Sequence, residues 1–368
     1  MSRKKKILIS AVDIGSRISV YTEFIKSNKG KSYDVESFVK YVLPVEHGYF
    51  SNYTISHVFK NYSFFKKIII SLFFFIKSLI RYDIFLFLSN ETILSNKLRW
   101  LELFIFKLLR KRIIFLFVGS DIRSNEYLNW KAENIISILK GDTIDRPSTD
   151  FINKKFSIIK YFSDSILVAT PDLIRIIPSA TYFPIILDTV RLEKLYSESI
   201  AFKNKDVISI MHIPSNSSLK GTKFISKILA EIKEIYGDKV EILLPPNERY
   251  REDLPYSVSK KQLMDYYKRA DIVIDQLLIG WYGMQSLEAL YLGKKCLCFI
   301  DEKLLNFLPM NCPILSTNVL TLKEDLVAII ESGNLLVDVD ANKKWIYENH
   351  SMESIKSKFS STILNESN

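Results

Sequence analysis

The chain has 368 residues, 48% apolar and 25% charged, which excludes a disordered chain and gives room for two α/β domains of ordinary size. Its three cysteines, Cys296, Cys298 and Cys312, make no framework of spaced pairs, and no metal-ligand spacing is visible; a reducing compartment and no bound metal are expected. The net charge of +10 is uneven: residues 1–112 hold 20 Lys or Arg against eight Asp or Glu, which sets a basic face in the N-terminal third.

Lys4-Lys5-Lys6 is followed by a strand-length run and Asp13, so no secretory signal is expected. Residues 6–12 read as a first strand, Ile14-Gly15-Ser16-Arg17 as a tight turn, and residues 17–27 as a helix. Residues 34–39 read as a second strand, with His47-Gly48-Tyr49 in a loop beyond it.

Residues 60–112 carry eleven bases against three acids, interleaved with Phe, Ile, Leu and Trp100. Two helices are expected there, at 64–81 and 94–112. Their longest apolar run, residues 68–76, would span only ~14 Å as a helix, too short for a hydrocarbon core about 30 Å thick. Apolar bodies flanked by Lys66, Lys67, Lys77, Arg81, Lys107 and Lys111 suit helices lying in an anionic membrane interface, with Trp100 at headgroup level. Two core helices whose lysines reach out to solvent are the alternative. A nucleic-acid reading fails for want of any binding module.

Strands follow at 82–88 and 113–118; the second is wholly apolar and therefore central. It runs into Gly119-Ser120-Asp121-Ile122-Arg123, which places polar groups at the carboxyl edge of a sheet, where α/β ligands sit. Asp121 is a site candidate there, or a turn residue. A strand at 163–169 leads to Thr170-Pro171-Asp172, where Thr170 can cap and Pro171 can begin a helix. Residues 178–195 show no periodicity and read as a crossover, with a domain boundary near residue 190.

The second half opens with a strand at 207–213 ending in His212, then the polar loop Pro214-Ser215-Asn216-Ser217-Ser218-Leu219-Lys220-Gly221 and a helix at 222–236. Lysine charge, polar side chains and a helix N-terminus together suit a diphosphate. A strand at 240–244 and a helix at 259–269 precede the stretch that organises the chain. There, strand 272–274 ends at Asp275-Gln276. The glycine loop Gly280-Trp281-Tyr282-Gly283 leads to a helix at 286–292 stopped by Gly293, and a strand follows at 296–300. This is a βαβ unit, so its strands pair in parallel. Cys296 and Cys298 alternate onto one face of the last strand and are poorly placed to pair with each other. Glu288 lies too deep in its helix to cap it, and its carboxylate can accept from sugar hydroxyls. A helix at 320–332 and an amphipathic stretch at 343–364 end the chain.

From Glu288 to Phe299 the sequence resembles the nucleotide-sugar end of GT-B glycosyltransferases, in particular the retaining, family 4-like group with a Glu-x7-Glu signature. The resemblance implies a GT-B architecture: an acceptor-side Rossmann-like domain at 1–190, a donor-side one at 191–340, and a terminal helix at 341–368 packing back on the first. It implies that Glu288 holds the ribose, and that Lys220 and Gly221, with Ser215 and Asn216, grip the diphosphate. Gly15 and Ser16 would line the cleft. His212, Asp275, Gln276, Gly280, Tyr282 and Gly283 are further donor-binding candidates, and Asp121 is a catalytic candidate beside Glu288. Three departures stand out: Gly280 replaces the first glutamate of the signature, Val118 replaces the histidine that often precedes Gly-Ser-Asp, and the phosphate loop lacks its usual arginine.

The expected activity is therefore metal-independent, retaining sugar transfer from a nucleotide-diphosphate donor to a hydroxyl acceptor, with no separate cofactor. A lipid-linked or glycan acceptor at the inner face of the cytoplasmic membrane, as in bacterial surface polysaccharide synthesis, fits the basic apolar N-terminal third. A non-catalytic nucleotide-sugar binding subunit, and an epimerase or hydrolase on the same fold, stay open as alternatives.

Overall fold

The computed structural model describes residues 4–14, 17–27, 33–43, 55–56, 62–94, 97–119, 121–123, 149–203, 206–245 and 258–364. The expectations at Gly15, Ser16 and His47 to Tyr49 fall outside them.

In the first half run β1 (Lys5–Ile14), α1 (Arg17–Ser27), β2 (Tyr33–Leu43), β3 (Ile55–Ser56), α2 (Phe64–Arg81), β4 (Ile84–Leu88), α3 (Arg99–Leu108), β5 (Arg112–Phe117), α4 (Thr149–Phe162), β6 (Ser165–Val168) and β7 (Thr181–Tyr182). The second half holds α5 (Thr189–Glu198), β8 (Ile208–Met211), α6 (Ser217–Lys220), α7 (Thr222–Tyr236), β9 (Val240–Leu243), α8 (Lys260–Arg269) and β10 (Ile272–Ile274). It continues with α9 (Met284–Tyr291), β11 (Lys295–Cys298), β12 (Leu315–Ser316), α10 (Leu322–Ser332), α11 (Val339–His350) and α12 (Lys356–Phe359).

Seven strands form one parallel sheet in the order β3-β2-β1-β4-β5-β6-β7, and five form another in the order β12-β11-β10-β8-β9. The first sheet ends at Tyr182 and the second begins at Ile208, so residue 190 lies between them. These are two Rossmann-like α/β domains in the GT-B architecture that the resemblance implies. Each order reverses once, between β1 and β4 and between β8 and β10, and open parallel sheets bind ligands at such reversals, beyond the carboxyl ends of the strands.

Side-chain pattern explains the layers. Every residue of β4 is buried, as befits a strand covered on both faces. Phe106 of α3 stacks on Phe85 of β4 at 4.0 Å, and Phe74 of α2 stacks on Phe38 of β2 at 3.8 Å, so both helices cover one face of the first sheet. In β11, Cys296 and Cys298 join one core and Leu297 another, the alternation that period two requires; both thiols are free.

The helix expected at 94–112 is shorter. The Glu102 carboxylate takes the Ile93 and Leu94 amides, both at 2.9 Å, while the buried Lys40 ammonium donates to the carbonyls of Thr92, Ile93 and Leu94. Those backbone groups are thereby withdrawn from a helix, which begins only at Arg99. It ends where Arg110 adopts φ +54°, and Arg112 already pairs in β5. The stretch 178–195 holds β7 and α5; Asp188 caps α5 by accepting from the Arg191 amide at 3.0 Å. The terminal stretch is broken at Ser351, whose hydroxyl accepts from the Ser354 amide at 3.0 Å. It still crosses to the first domain: Phe359 packs edge-on against Phe24 at 5.0 Å, and Arg112 donates to the Thr362 carbonyl at 2.9 Å.

Candidate functional site

The reversal in the second sheet brings two loop systems together. After β8, Asn216 caps α6 by accepting from the Leu219 amide at 3.0 Å, and Gly221 turns the chain at φ +81° into α7. That turn points Lys220 across to β10, where its ammonium pairs with the Asp275 carboxylate and reaches Gln285 Oε1 at 3.1 Å. Asp275 also accepts from the Ser286 hydroxyl at 2.6 Å and the Gly283 amide at 3.1 Å. Burial works to raise its pKa, but Lys220, Ser286 and the Gly283 amide together hold it below the usual carboxylate value.

One turn along α9, the Glu288 carboxylate pairs with the Lys260 ammonium and accepts from the Tyr267 hydroxyl at 3.1 Å. The same hydroxyl lies 3.2 Å from the Gln285 carbonyl. Burial, reinforced by Glu288, raises the Tyr267 pKa well above its ordinary value, so the phenol stays a donor. Lys220, Asp275, Gln285, Tyr267, Glu288 and Lys260 thus form one linked set around the first turns of α9.

The glycines of this loop have separate reasons. Gly280 sits at φ +81°, a conformation side chains rarely adopt, and its carbonyl accepts from the Asp301 amide at 3.0 Å. A Cβ at Gly283 would lie 3.1 Å from Asp275 Oδ2, against the bond that seats α9. Gln276 ties the loop by donating from its side chain to the Trp281 carbonyl.

Two donor-binding candidates are placed in the core instead. His212 is fully enclosed, with Nδ1 2.9 Å from the Ile274 carbonyl and Nε2 2.9 Å from Thr222 Oγ1. A carbonyl only accepts, so the proton sits on Nδ1 and Nε2 accepts from Thr222. Burial pushes its pKa down to about 4. Tyr282 is likewise buried, and its hydroxyl meets His350 Nε2 at 3.0 Å, while His350 Nδ1 bonds the Ile185 carbonyl at 2.8 Å. These two side chains join the second domain to the crossover and α11. Ser215 is exposed beside the loop, and Asn216 serves as its cap.

In the first domain, Gly119 and the residues Asp121 to Arg123 form a built turn. Asp121 accepts from the Gly119 amide at 2.8 Å and the Val118 amide at 3.3 Å, the turn role weighed above for it. Gly119 sits at φ +130°, a conformation side chains rarely adopt, and Arg123 folds back over it, so that a Cβ there would fall 2.2 Å from Nη1. Its guanidinium grips Asp172 with two bonds, at 3.0 and 3.2 Å, and donates to Thr170 Oγ1 at 3.0 Å. Thr170 therefore serves Arg123 and makes no side-chain capping bond to the short helix at Pro171–Arg175. Sequence reading passes over Arg17, at the reversal of the first sheet; its guanidinium is desolvated, which lowers its pKa, and it lies near Tyr21, Asp121 and Asp13.

The basic helices divide. Arg81 is held by Glu36, Lys107 pairs with Asp164, and Lys111 donates to the Tyr82 carbonyl at 2.6 Å, so these three serve the domain itself. Lys67 is half-buried, while Lys66, Lys77 and Trp100 are exposed. The outward face of α2 is strongly apolar: Phe65 is 76% exposed, Phe73 70% and Ile80 79%, while two serines, Ser71 and Ser78, face inward. Leu108 of α3 extends that surface at 70% exposure. Among the described residues no helix is long and apolar enough to cross a membrane, and no group of three or more metal-ligating side chains gathers.

No family model matches the chain, and no curated protein matches its sequence. Solved structures do resemble it in fold. Sucrose-phosphate synthase from Thermosynechococcus elongatus is 12% identical over 97% of both chains, with a TM-score of 0.57. HepE from Anabaena, in complex with UDP-glucose, is 11% identical over 98% of this chain and 100% of that one, with a TM-score of 0.58. The catalytic domain of starch synthase IV from Arabidopsis thaliana, bound to ADP and acarbose, is 11% identical over 99% of both, with a TM-score of 0.57.

Proposed function

We propose that the chain is a glycosyltransferase that moves a sugar from a nucleotide-diphosphate donor to a hydroxyl acceptor held at a membrane surface. The observation that carries this reading is the linked set of Lys220, Gln285, Tyr267, Glu288 and Lys260 at the reversal of the second sheet. It offers a carboxylate for ribose hydroxyls and ammonium groups for the phosphates, and the similar HepE structure is a complex with UDP-glucose. When the sugar–phosphate bond breaks, negative charge builds on the departing diphosphate. Preorganised lysines in a water-poor site stabilise that charge, usually the largest catalytic term. Retention of the anomeric configuration and independence of metal are what the family resemblance implies; a place in surface polysaccharide synthesis rests on the basic apolar N-terminal third.

The acceptor side is α2 and α3. An exposed apolar face this long on a water-facing helix is a liability unless something covers it, and the flanking Lys66, Lys77, Lys97 and Arg110 match an anionic bilayer. Insertion of Phe65, Ile69 and Phe73 at the acyl boundary would hold the cleft beside a lipid-linked acceptor.

A second reading, a nucleotide-sugar binding subunit without turnover, is favoured by Gly280 and Val118, which stand where similar enzymes place working side chains. The use of Asp121 as a turn residue adds to it. Incubation with labelled UDP-, GDP- and ADP-sugars and membrane extract separates the two. Label in the lipid or glycan fraction, lost in Glu288→Ala, supports transfer. Donor binding with neither transfer nor hydrolysis supports the binding subunit.

A further inference from the structure

The phosphate loop at 214–219 carries small and polar residues and no arginine, so Lys220 alone supplies its positive charge. A diphosphate carries more negative charge than one ammonium balances. A second cation nevertheless lies close by, on another element. Lys260 is the first residue of α8, and the amides of that helix end are already served by a capping box between Ser259 and Gln262. Its side chain, an ammonium that can only donate, takes no part in that box and reaches the Glu288 carboxylate.

Both lysines converge on one stripe of α9. Gln285 and Glu288 are a turn apart, neighbours roughly 5–6 Å apart at Cβ. Gln285 holds the Lys220 ammonium and Glu288 the Lys260 ammonium. Because lysine can only donate, Oε1 of Gln285 must face Lys220, which leaves the amide Nε2 enclosed without an acceptor. Gln285 itself is 7% exposed. The two lysine side chains keep 11% and 16% of their surface open. As it stands the site is balanced internally, two ammonium groups against Asp275 and Glu288, with one buried donor short of a partner.

Resting on the donor reading above, we infer that Lys260 is the second phosphate-binding cation, taking the place of the missing loop arginine and exchanging Glu288 for phosphate when the donor binds. The exchange couples the two ends of the ligand. Phosphate draws Lys260 away, and the freed Glu288 carboxylate then accepts from the ribose hydroxyls. A nucleoside without phosphate cannot draw the lysine off and meets an occupied carboxylate. Gln285 gains an acceptor as Lys220 and the phosphate rearrange beside it. Lys260 therefore sets the preference for diphosphate over nucleoside, and Tyr267 keeps Glu288 in register throughout.

Titration calorimetry of the full chain with UDP, ADP and GDP, each beside its nucleoside, tests this. For the base that binds, Lys260→Gln is expected to weaken the diphosphate at least about tenfold, the worth of one charge-assisted bond. The same variant leaves the nucleoside unchanged or tightens it, because Glu288 is released. The pair Lys260→Gln with Glu288→Gln keeps a neutral hydrogen bond between the positions and serves if the single variant folds poorly; its diphosphate-to-nucleoside preference should fall by the same factor. Equal losses for both ligands, or an unchanged diphosphate affinity, would overturn the inference while leaving the donor reading intact. Failure of every nucleotide to bind the unaltered protein would overturn the donor reading and this inference with it.

Discussion

At the residue scale, buried ionisable side chains decide both stability and its pH dependence. Arg123 and Asp172 are almost fully enclosed and satisfy each other with two bonds. Arg123→Ala leaves a carboxylate buried without its main cation, and denaturant unfolding should show a loss of about 3–5 kcal/mol. The two enclosed histidines act through protons. His212 and His350 titrate near 4 in the folded chain, because burial disfavours the charged ring, and near 6.5 when unfolded. As pH falls from 6.5 towards 4 the unfolded state binds the extra protons, so these histidines lose stability for the fold in that window. Each contributes a slope approaching about 1.4 kcal/mol per pH unit. His350→Asn should make stability measurably flatter between pH 6.5 and 5 than in the parent; an unchanged slope would show that burial does not hold the ring neutral in the fold. Neither enclosure is legible in the sequence, which marks His212 only as a strand end and donor-binding candidate and gives His350 no special setting. What encloses His212 is a carbonyl 62 residues away, and what orients it is Thr222. The same holds for Lys260 and Gln285: their partners come from other elements and leave no local trace. Glu288, Lys220 and Asp275 stand out in the sequence as candidates because a glycine loop, a strand end and a helix start mark them.

At the element scale, periodicity located helices well and tertiary demands moved their ends. Helix α2 runs from Phe64 to Arg81 as the pattern predicts, since Ser63 caps its start and Tyr82 leaves it in extended backbone. Helix α3 lost its expected first turn to Lys40 and Glu102, a competition between buried charges and helix propensity that sequence pattern does not register. The face of α2 is a sharper case. Composition showed bases among apolar residues, whereas the fold shows which side they occupy: Arg81, Lys107 and Lys111 are held by the domain, and phenylalanine and isoleucine face outward. Membrane attachment on this account is driven chiefly by apolar insertion. Flotation with anionic liposomes should retain the protein in moderately high salt, and Phe65→Ser with Phe73→Ser should release it. Charge reversal at Lys107 and Lys111 should change flotation little; release by that pair alone, with the phenylalanine variants still bound, would refute the insertion account.

At the scale of the whole molecule, two parallel sheets are each reversed once, and the terminal segment ties the second domain to the first. Phe359 is the clearest tie, 2% exposed and packed against Phe24 and Phe183. Phe359→Ala should destabilise the fold by about 3–5 kcal/mol, read from chemical denaturation. The parallel two-domain plan was readable because strands, glycine turns and helices alternate along the chain. The break at Ser351 was not, since apolar spacing continues across it. The central claim is that the reversal in the second sheet is a nucleotide-sugar site. Thermal unfolding with UDP, GDP, ADP and their sugar conjugates tests it most directly. One nucleotide, at 100 times its dissociation constant, should add about 2.7 kcal/mol of stability. That gain should vanish in both Lys220→Ala and Glu288→Ala. A well-folded protein that no nucleotide or nucleotide sugar stabilises would contradict the account.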